Sequence, residues 1–489
     1  MHNARYGGNL SSSKIEYEVS ERDHALVAGG IGAIQLLVQK SGLAQSIDRR
    51  LNLLKLYLPY SESDHVLNIA YNVLTGGQSL EDLELLRNDE GYLDALGAQT
   101  IPDPTTAGDF CRRFGDPENV EALMDAIHEA RLRIWRQQPK AFFSEAFLDA
   151  DGSLAPTYGE CKEGMDISYK GIWGYHPLVI SLANTKEPLC LVNRSGNRPS
   201  AEGAAPRFDQ MIALCRKAGF RRITLRGDTD FSQSEHLDRW DEDRVQFIFG
   251  FDATQKLREI ASQMPKSAWR TLERPEKYQV QTSPRAKPER VKQEIVLERK
   301  FSDVRLIEEW VGEFDYQPVK CKKTHRVVVV RKHLRTLKGQ TRLFDEMEYF
   351  FYITNKRKLS AEEVVLLAND RCDQENLIEQ LKNGVHALRM PVNTLVANWA
   401  YMVMASLAWT LKAWFALCLP EIGRWEKNRR AEKQSVLRME FRKFLNYFIR
   451  IPAQVVRTGR RIILRLLAWN PYVKLFLRGV EVLERPLRC

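Results

Sequence analysis

The chain has 489 residues, 44% hydrophobic and 28% charged, ordinary values for a globular protein that leave room for about two to four domains with large cores. Its formal charge of +10 and pI near 9.1 favour a polyanionic partner, either nucleic acid or an acidic membrane face. The eight scattered cysteines include no C-x-x-C, and there is no H-E-x-x-H or Cys/His cluster, which argues against a structural zinc site and for reduced thiols in a cytosolic protein.

The N-terminal stretch "MHNARYGGNLSSSKIEYEV" lacks the apolar core of a signal peptide. To about Gln138 the pattern is helical. "SDHVLNIAYNVLTGG" has Val66, Ile69, Ala70 and Val73 at helical spacing and stops on Gly76-Gly77. "SLEDLELLRNDEGYLDALG" follows, with Ser79 as N-cap and Asp82 three positions on. In "IPDPTTAGDFCRRF", Pro104 precedes a short, Thr-capped helix that ends on Arg112-Arg113, and this basic element suits DNA binding.

From Ala141 strands begin. "AFFSEAFLDADGS", "YKGIWGYHPLVISLANT" and "PLCLVNRSG" read as three strands with turns between them. "SAEGAAPRFDQMIALCRKAG" is an amphipathic helix ending at Gly219, "FRRITLRGDTDF" a strand, "SQSEHLDRWDEDR" a helix and "VQFIFGFDA" a fifth strand. This is an α/β layout with a mixed sheet. Residues 254 to about 345 carry β-type runs "EIVLER", "RVVVVRK" and "EYFFYITN", with a turn or disordered loop at "SPRAKPERVKQ". Ser360 and Glu363 make a capping box for the next helix, and after Pro391 the chain reads as helical.

The long apolar stretch from Thr394 to Leu419 is interrupted by Asn398 and Lys412 and reads as a helix buried in its own protein rather than a membrane span. Residues 421–489 hold seventeen Lys and Arg against six Asp and Glu, so the tail alone carries more than the net charge of the whole chain. "RTGRRIILRLL" there sets basic residues beside an apolar stripe, as a phosphate-contacting surface would.

Two strand ends carry acids two residues apart, Asp149 and Asp151 in "FLDADGS" and Asp228 and Asp230 in "LRGDTDF". Acids so spaced share one strand face. In "RCDQENLIEQLKNG", about 100° per residue puts Arg371, Glu375 and Lys382 on one helical stripe, with Glu379 flanking it. Carboxylates from two strands and a helix are the protein kit for hard cations such as Mg²⁺ or Mn²⁺. Two such ions about 3.5–4 Å apart activate the attacking oxygen and stabilise the leaving one in phosphoryl transfer.

These blocks, in this order, resemble the catalytic blocks of DDE-type insertion-sequence transposases. The pattern is most similar to insertion-sequence family 1380, related to the group with an R-x3-E-x6-K signature. "SYKGIWGYHPLVISLANTKEPLCLVNRSGNRPSAEGA" and "IPDPTTAGDFCRRF" also resemble that family's stretches, so the likeness covers roughly residues 60 to 410. The resemblance implies a ribonuclease H-like core split by a β-rich insertion between the second Asp and the Glu. It implies Asp151, Asp228 and Glu375 as catalytic residues and ligands of two Mg²⁺ or Mn²⁺ ions, with Arg371 and Lys382 on DNA. Asp149, Asp230 and Glu379 are the alternates. Where the family usually has a tyrosine three residues before the arginine, this chain has Ala368.

The organisation that follows is a helical region for DNA ends (1–140) and a first core segment (141–253). Then come the insertion (254–355), a second core segment with the catalytic Glu (356–418) and a basic helical tail (419–489). The implied protein cleaves element ends at terminal inverted repeats and joins them to target DNA. It acts as a homodimer in the cytoplasm, associated with the nucleoid of a prokaryote and with no membrane partner. The rival readings are a metal-dependent nuclease that cuts without joining and a transposase-derived DNA-binding protein without catalysis. Trp269 and Trp310 could stack on a base, although core packing accounts for either one, and His176 and His325 read as satisfied histidines.

Overall fold

A computed structural model describes residues 17, 24–55, 59–274, 291–338, 341–421, 425–459, 461–467 and 470–485. Most of the N-terminal stretch, residues 283–290 of the loop expected at 283–293 and Cys489 lie outside the described residues, and residues 291–293 of that loop are helical instead.

After a short strand β1 (His24–Leu26) the chain is helical: α1 (Ile31–Ser41), α2 (Leu43–Arg50), α3 (Glu62–Thr75), α4 (Leu83–Arg87), α5 (Glu90–Leu96), α6 (Pro104–Arg112) and α7 (Pro117–Trp135). A capping box between Ser61 and Asp64 starts α3, and Gly76, at φ 101°, ends it. The single helix expected from Ser79 splits in two because Asp89 forms a new N-cap, accepting from the Tyr92 amide at 3.0 Å. Asp103, not a threonine, caps α6. Proline at N1 has no amide to satisfy, so the capping oxygen must come from the residue before it.

The core sheet begins at β2 (Ala146–Gly152). The short strands β3 (Ala155–Pro156), β4 (Asp166–Ile167) and β5 (Trp173–Tyr175) form a small sheet of their own, so "GIWGYHPLVISL" is not one strand. β6 (Leu178–Leu182) and β7 (Glu187–Val192) complete an antiparallel meander with β2. Helix α8 (Ala204–Ala218) then crosses to β8 (Ile223–Gly227), parallel to β2, and α9 (Leu237–Glu242) to β9 (Gln246–Phe251), parallel to β8. Three antiparallel strands with two parallel strands added beside the first make a ribonuclease H-like core.

The insertion does not form a separate sheet. After α10 (Gln255–Gln263) and β10 (Arg270–Thr271), "EIVLER" lies in a helix, α11 (Val291–Glu298), not in the expected strand. A short apolar run flanked by acids does not distinguish the two by period alone. The long strands β11 (Ser302–Tyr316), β12 (His325–Lys338) and β13 (Thr341–Thr354) follow, and β13 pairs with β9 through Phe351 and Phe251. The result is one nine-stranded sheet in the order β10-β11-β12-β13-β9-β8-β2-β6-β7.

Next come α12 (Ala361–Asn369) and α13 (Cys372–Glu379), the latter running into a π turn at Gln380–Gly384. The apolar stretch is α14 (Leu395–Cys418), buried along nearly its whole length. Its polar interruptions have protein partners: Asn398 bonds the Val392 backbone, and Lys412 Nζ donates to the Leu437 carbonyl at 2.9 Å. Fully buried Glu187 of β7 joins three layers. It accepts from Arg131 (2.9 Å) and Trp135 (3.0 Å) of α7 and from Trp414 of α14 (2.8 Å).

The tail is not all helical. α15 (Glu426–Arg438) and α16 (Phe441–Phe444) lead to a hairpin, β14 (Ala453–Thr458) and β15 (Arg461–Leu466), and then to α17 (Val473–Glu484). "RTGRRIILRLL" therefore runs from the end of β14 through the turn into β15. The turn follows Thr458 at Gly459, and the β-branched pair Ile462-Ile463 favours extension.

Candidate active site

Strands β2 and β8 run parallel with Asp149 in register with Arg226. The two make a buried bidentate pair at 2.6 and 2.8 Å, and Arg226 also donates to the Leu367 carbonyl of α12 at 2.8 Å. Two residues further on, on the same face, lie Asp151 and Asp228. The two-residue spacing of the acids thus has two purposes. The deeper Asp149 ties β2, β8 and α12 together, and the acid at the strand end reaches the cleft.

Asp151 is half-buried and accepts from Arg371 Nη1 at 3.2 Å. Burial pushes its carboxyl up to about 6. Arg371 opposes the shift, and the charges of Asp228 and Glu375 add to it. Asp228 lies just past β8 and caps a single turn by accepting the Asp230 amide at 3.1 Å. Its carboxyl is also raised, by burial first, with Arg371 opposing and Asp230 adding. Arg371 sits at the N-cap of α13 rather than inside it, and Glu375 stands exposed one turn on. Lys382, in the π turn, is half-buried. Burial lowers its pKa while Glu379 and Asp151 oppose the shift. The structure therefore gathers Asp151, Asp228, Glu375, Arg371 and Lys382 into one electrostatic neighbourhood.

The alternates have other positions. Asp149 is sealed under Arg226, Asp230 is exposed on the turn, and Glu379 accepts from Asn383 at 2.6 Å. Beside the acids lies a cleft of about 610 Å³ lined by Asp228, Arg258, Phe350, Tyr352, Arg371 and Cys372, so strand β13 of the insertion forms one wall. Tyr352 and Ala368, the position where the resembled family usually has a tyrosine, both line this cleft and pack on the same small core. Arg226, Gln374 and Tyr352 escaped the sequence reading. Arg226 alone left a signal there, a charge alternating inward two residues before Asp228.

The acids suit a hard divalent cation in donor type. They do not close to the spacing of one ion's ligand shell. Among the described residues only Asp238, Cys321 and His325 set three donor atoms within 4.8 Å of one another, a cluster the sequence spacing did not suggest. Those donors are already in use. Asp238 accepts from His325 (2.8 Å) and from the Lys322 and Lys323 amides, and Cys321 donates to the Ser234 carbonyl (3.1 Å). They clip the β11–β12 turn onto α9. Trp269 and Trp310 flank the guanidinium of Arg331, at 4.2 and 4.6 Å. His176 bonds the Arg198 carbonyl at 2.7 Å.

No curated protein matches the chain significantly. Among solved structures, a piggyBac transposase, in its synaptic complex with hairpin DNA, matches with a TM-score of 0.34 and 11% identity over 87% of this chain and 84% of that one. The family model for the transposase DDE domain, group 1, matches residues 23–487. With nearly its whole length matched by that model, the chain belongs to the DDE transposase family.

Proposed function

We propose that the protein cuts DNA at the ends of a mobile element and joins the freed 3′-OH ends to target DNA, with Asp151, Asp228 and Glu375 as the metal-holding carboxylates. Placement within insertion-sequence family 1380 belongs to the same proposal and rests on the order of the sequence blocks. What supports the proposal is the family match over residues 23–487, together with a half-buried Asp151 paired to Arg371 at the start of the helix that carries Glu375. Two Mg²⁺ or Mn²⁺ ions, when bound, would supply activation of the attacking oxygen and neutralisation of the scissile phosphate. Exposed Glu375 would swing toward Asp151 and Asp228 to complete the ligand set. Arg371, now paired with Asp151, would turn its guanidinium to a phosphate oxygen, and Lys382 would hold a neighbouring phosphate as a point charge.

The helical N-terminal region and the basic tail would hold the element ends, two of them brought together by a homodimer. The test uses a plasmid carrying the coding frame with its own genomic flanks. Asp228→Ala should abolish end cleavage while end binding persists. Pre-cut ends with a free 3′-OH should be joined to a target plasmid by the wild type. Failure to join them would leave a nuclease, and full strand transfer by Asp228→Ala would refute the site.

A further inference from the structure

Gln374 lies between Arg371 and Glu375, the two residues of this segment that face the acids, yet it points into the core, 1% exposed. Its Nε2 donates to the Val179 carbonyl at 3.1 Å, and its Oε1 accepts from the Ser181 hydroxyl. Both partners are on β6, directly across from the acids of β2. Val179 is in register with Asp151, and Ser181 with Asp149.

Alternate rungs of an antiparallel ladder are the hydrogen-bonded ones. Ala183 donates to Phe147 and Ser153 to Pro177, so the intervening rungs at Asp149 and Asp151 are hydrogen-bonded too. The Val179 carbonyl therefore receives both the Asp151 amide and the Gln374 side chain. One oxygen fixes the backbone of the strand acid and the height of the helix that carries Glu375.

Such a tether has a task here. α13 has only eight residues and runs into a π turn, so its own backbone bonds restrain its register weakly. A slip of one residue would rotate Glu375 by about 100° away from the strand acids. Among the described residues nothing hydrogen-bonds the Glu375 carboxylate itself. Two ion pairs also link the meander to this helix, both near its N-terminus: Arg371 at the N-cap with Asp151, and Lys186 with Asp373, each at 3.2 Å.

We infer that Gln374 is a positioning residue that sets the spacing of Glu375 from Asp151, and through it the affinity for divalent cations. The inference rests on the proposed roles of Asp151, Asp228 and Glu375. An ordinary core role would stabilise the helix without touching cation affinity, and this difference supplies the test.

Gln374→Met, paired with Ser181→Ala so that no hydroxyl is stranded, keeps the volume and removes the tether. Mn²⁺ alone is titrated into the metal-free full-length protein, followed by calorimetry and by the shift in melting temperature. The double variant should need about ten- to a hundredfold more Mn²⁺ for half-saturation, the usual effect of removing a group that orients a ligand. Ser181→Ala alone removes one anchor of two and should shift the midpoint less, in the same direction; it serves as the test should the double variant fail to fold. A Mn²⁺ midpoint equal to wild type in whichever of these variants folds overturns the inference, whatever happens to the melting temperature. Failure of the site itself has a different signature, Mn²⁺ binding that survives Asp151→Asn and Glu375→Gln.

Discussion

Burial raises the carboxyls of both aspartates on strand β2, but only the deeper one, Asp149, is sealed in a bidentate ion pair. Asp151 has its carboxyl raised from 3.8 to about 6, so the folded protein binds a proton more tightly than the unfolded chain does. A group of this sign costs stability as pH rises through that window, by up to about 3 kcal/mol at neutral pH without metal. Asp151→Asn should therefore raise the melting temperature of the metal-free protein at pH 7 and erase the difference near pH 4, while abolishing cleavage. Mg²⁺ should raise the melting temperature of the wild type and not of the variant. Asp149→Asn should instead lower it at neutral pH, because Arg226 would keep its burial and lose its counter-charge. Thermal unfolding across pH, with and without Mg²⁺, measures all of these. Equal behaviour of the two variants would refute the division of labour. The sequence showed that both acids share a face, but not which one was paired, because Arg226 lies 77 residues away along the chain.

At the scale of elements, legibility followed the length and periodicity of each segment. Helix α3 and the strands around Asp151 and Asp228 carry strong local signals, caps, glycines and alternation, and they formed where expected. "EIVLER" and "RIILRL" are short and apolar with flanking charges, and their states were set by neighbours: one became a helix, the other the edge strand of a hairpin. Helix α14 owes its identity to packing. Its Lys412 is fully buried, with its Nζ 3.7 Å from the Trp409 ring centre, and burial holds its pKa well below the ordinary lysine value. The unfolded chain therefore binds this proton and the folded one resists it, so the deficit is present at pH 7 and shrinks as pH rises toward 10.5. Lys412→Met should raise the melting temperature by a few degrees at pH 7 and by less at pH 10. Glu187, which α14 shares with α7, is the contrasting case. Glu187→Ala strands buried Arg131 and two indole N–H groups and should cost about 3–5 kcal/mol in an unfolding titration.

Across the whole molecule, the ends of the chain are interlocked, and this decides how the basic tail can be tested. β1 pairs with β14, and the Gly29 and Gly30 amides donate to Ile451 and Ile449 at 3.0 Å. A Cβ at Gly30 would stand 1.8 Å from the Phe448 carbonyl oxygen, so the approach requires glycine. None of this is legible locally, since it joins residues more than 400 apart. Deleting the tail would open the helical module and confound any loss of DNA binding. Its charge is also partly spent inside the fold: Arg457 pairs with Asp94 at 2.7 Å, Arg478 with Glu432 at 2.8 Å and Lys433 with Glu421 at 2.7 Å. Exposed Arg461, on the edge strand β15, shows no such pairing among the described residues. If this edge meets phosphates, Arg461→Ala should weaken binding to element-end and unrelated duplexes alike and reduce the slope of log affinity against log salt by about one. Arg457→Ala should instead lower the melting temperature and leave that slope unchanged. Anisotropy titrations from 50 to 200 mM salt, on the order where counterion release dominates, separate the two, and a salt slope untouched in Arg461→Ala would remove this strand from the DNA-binding surface.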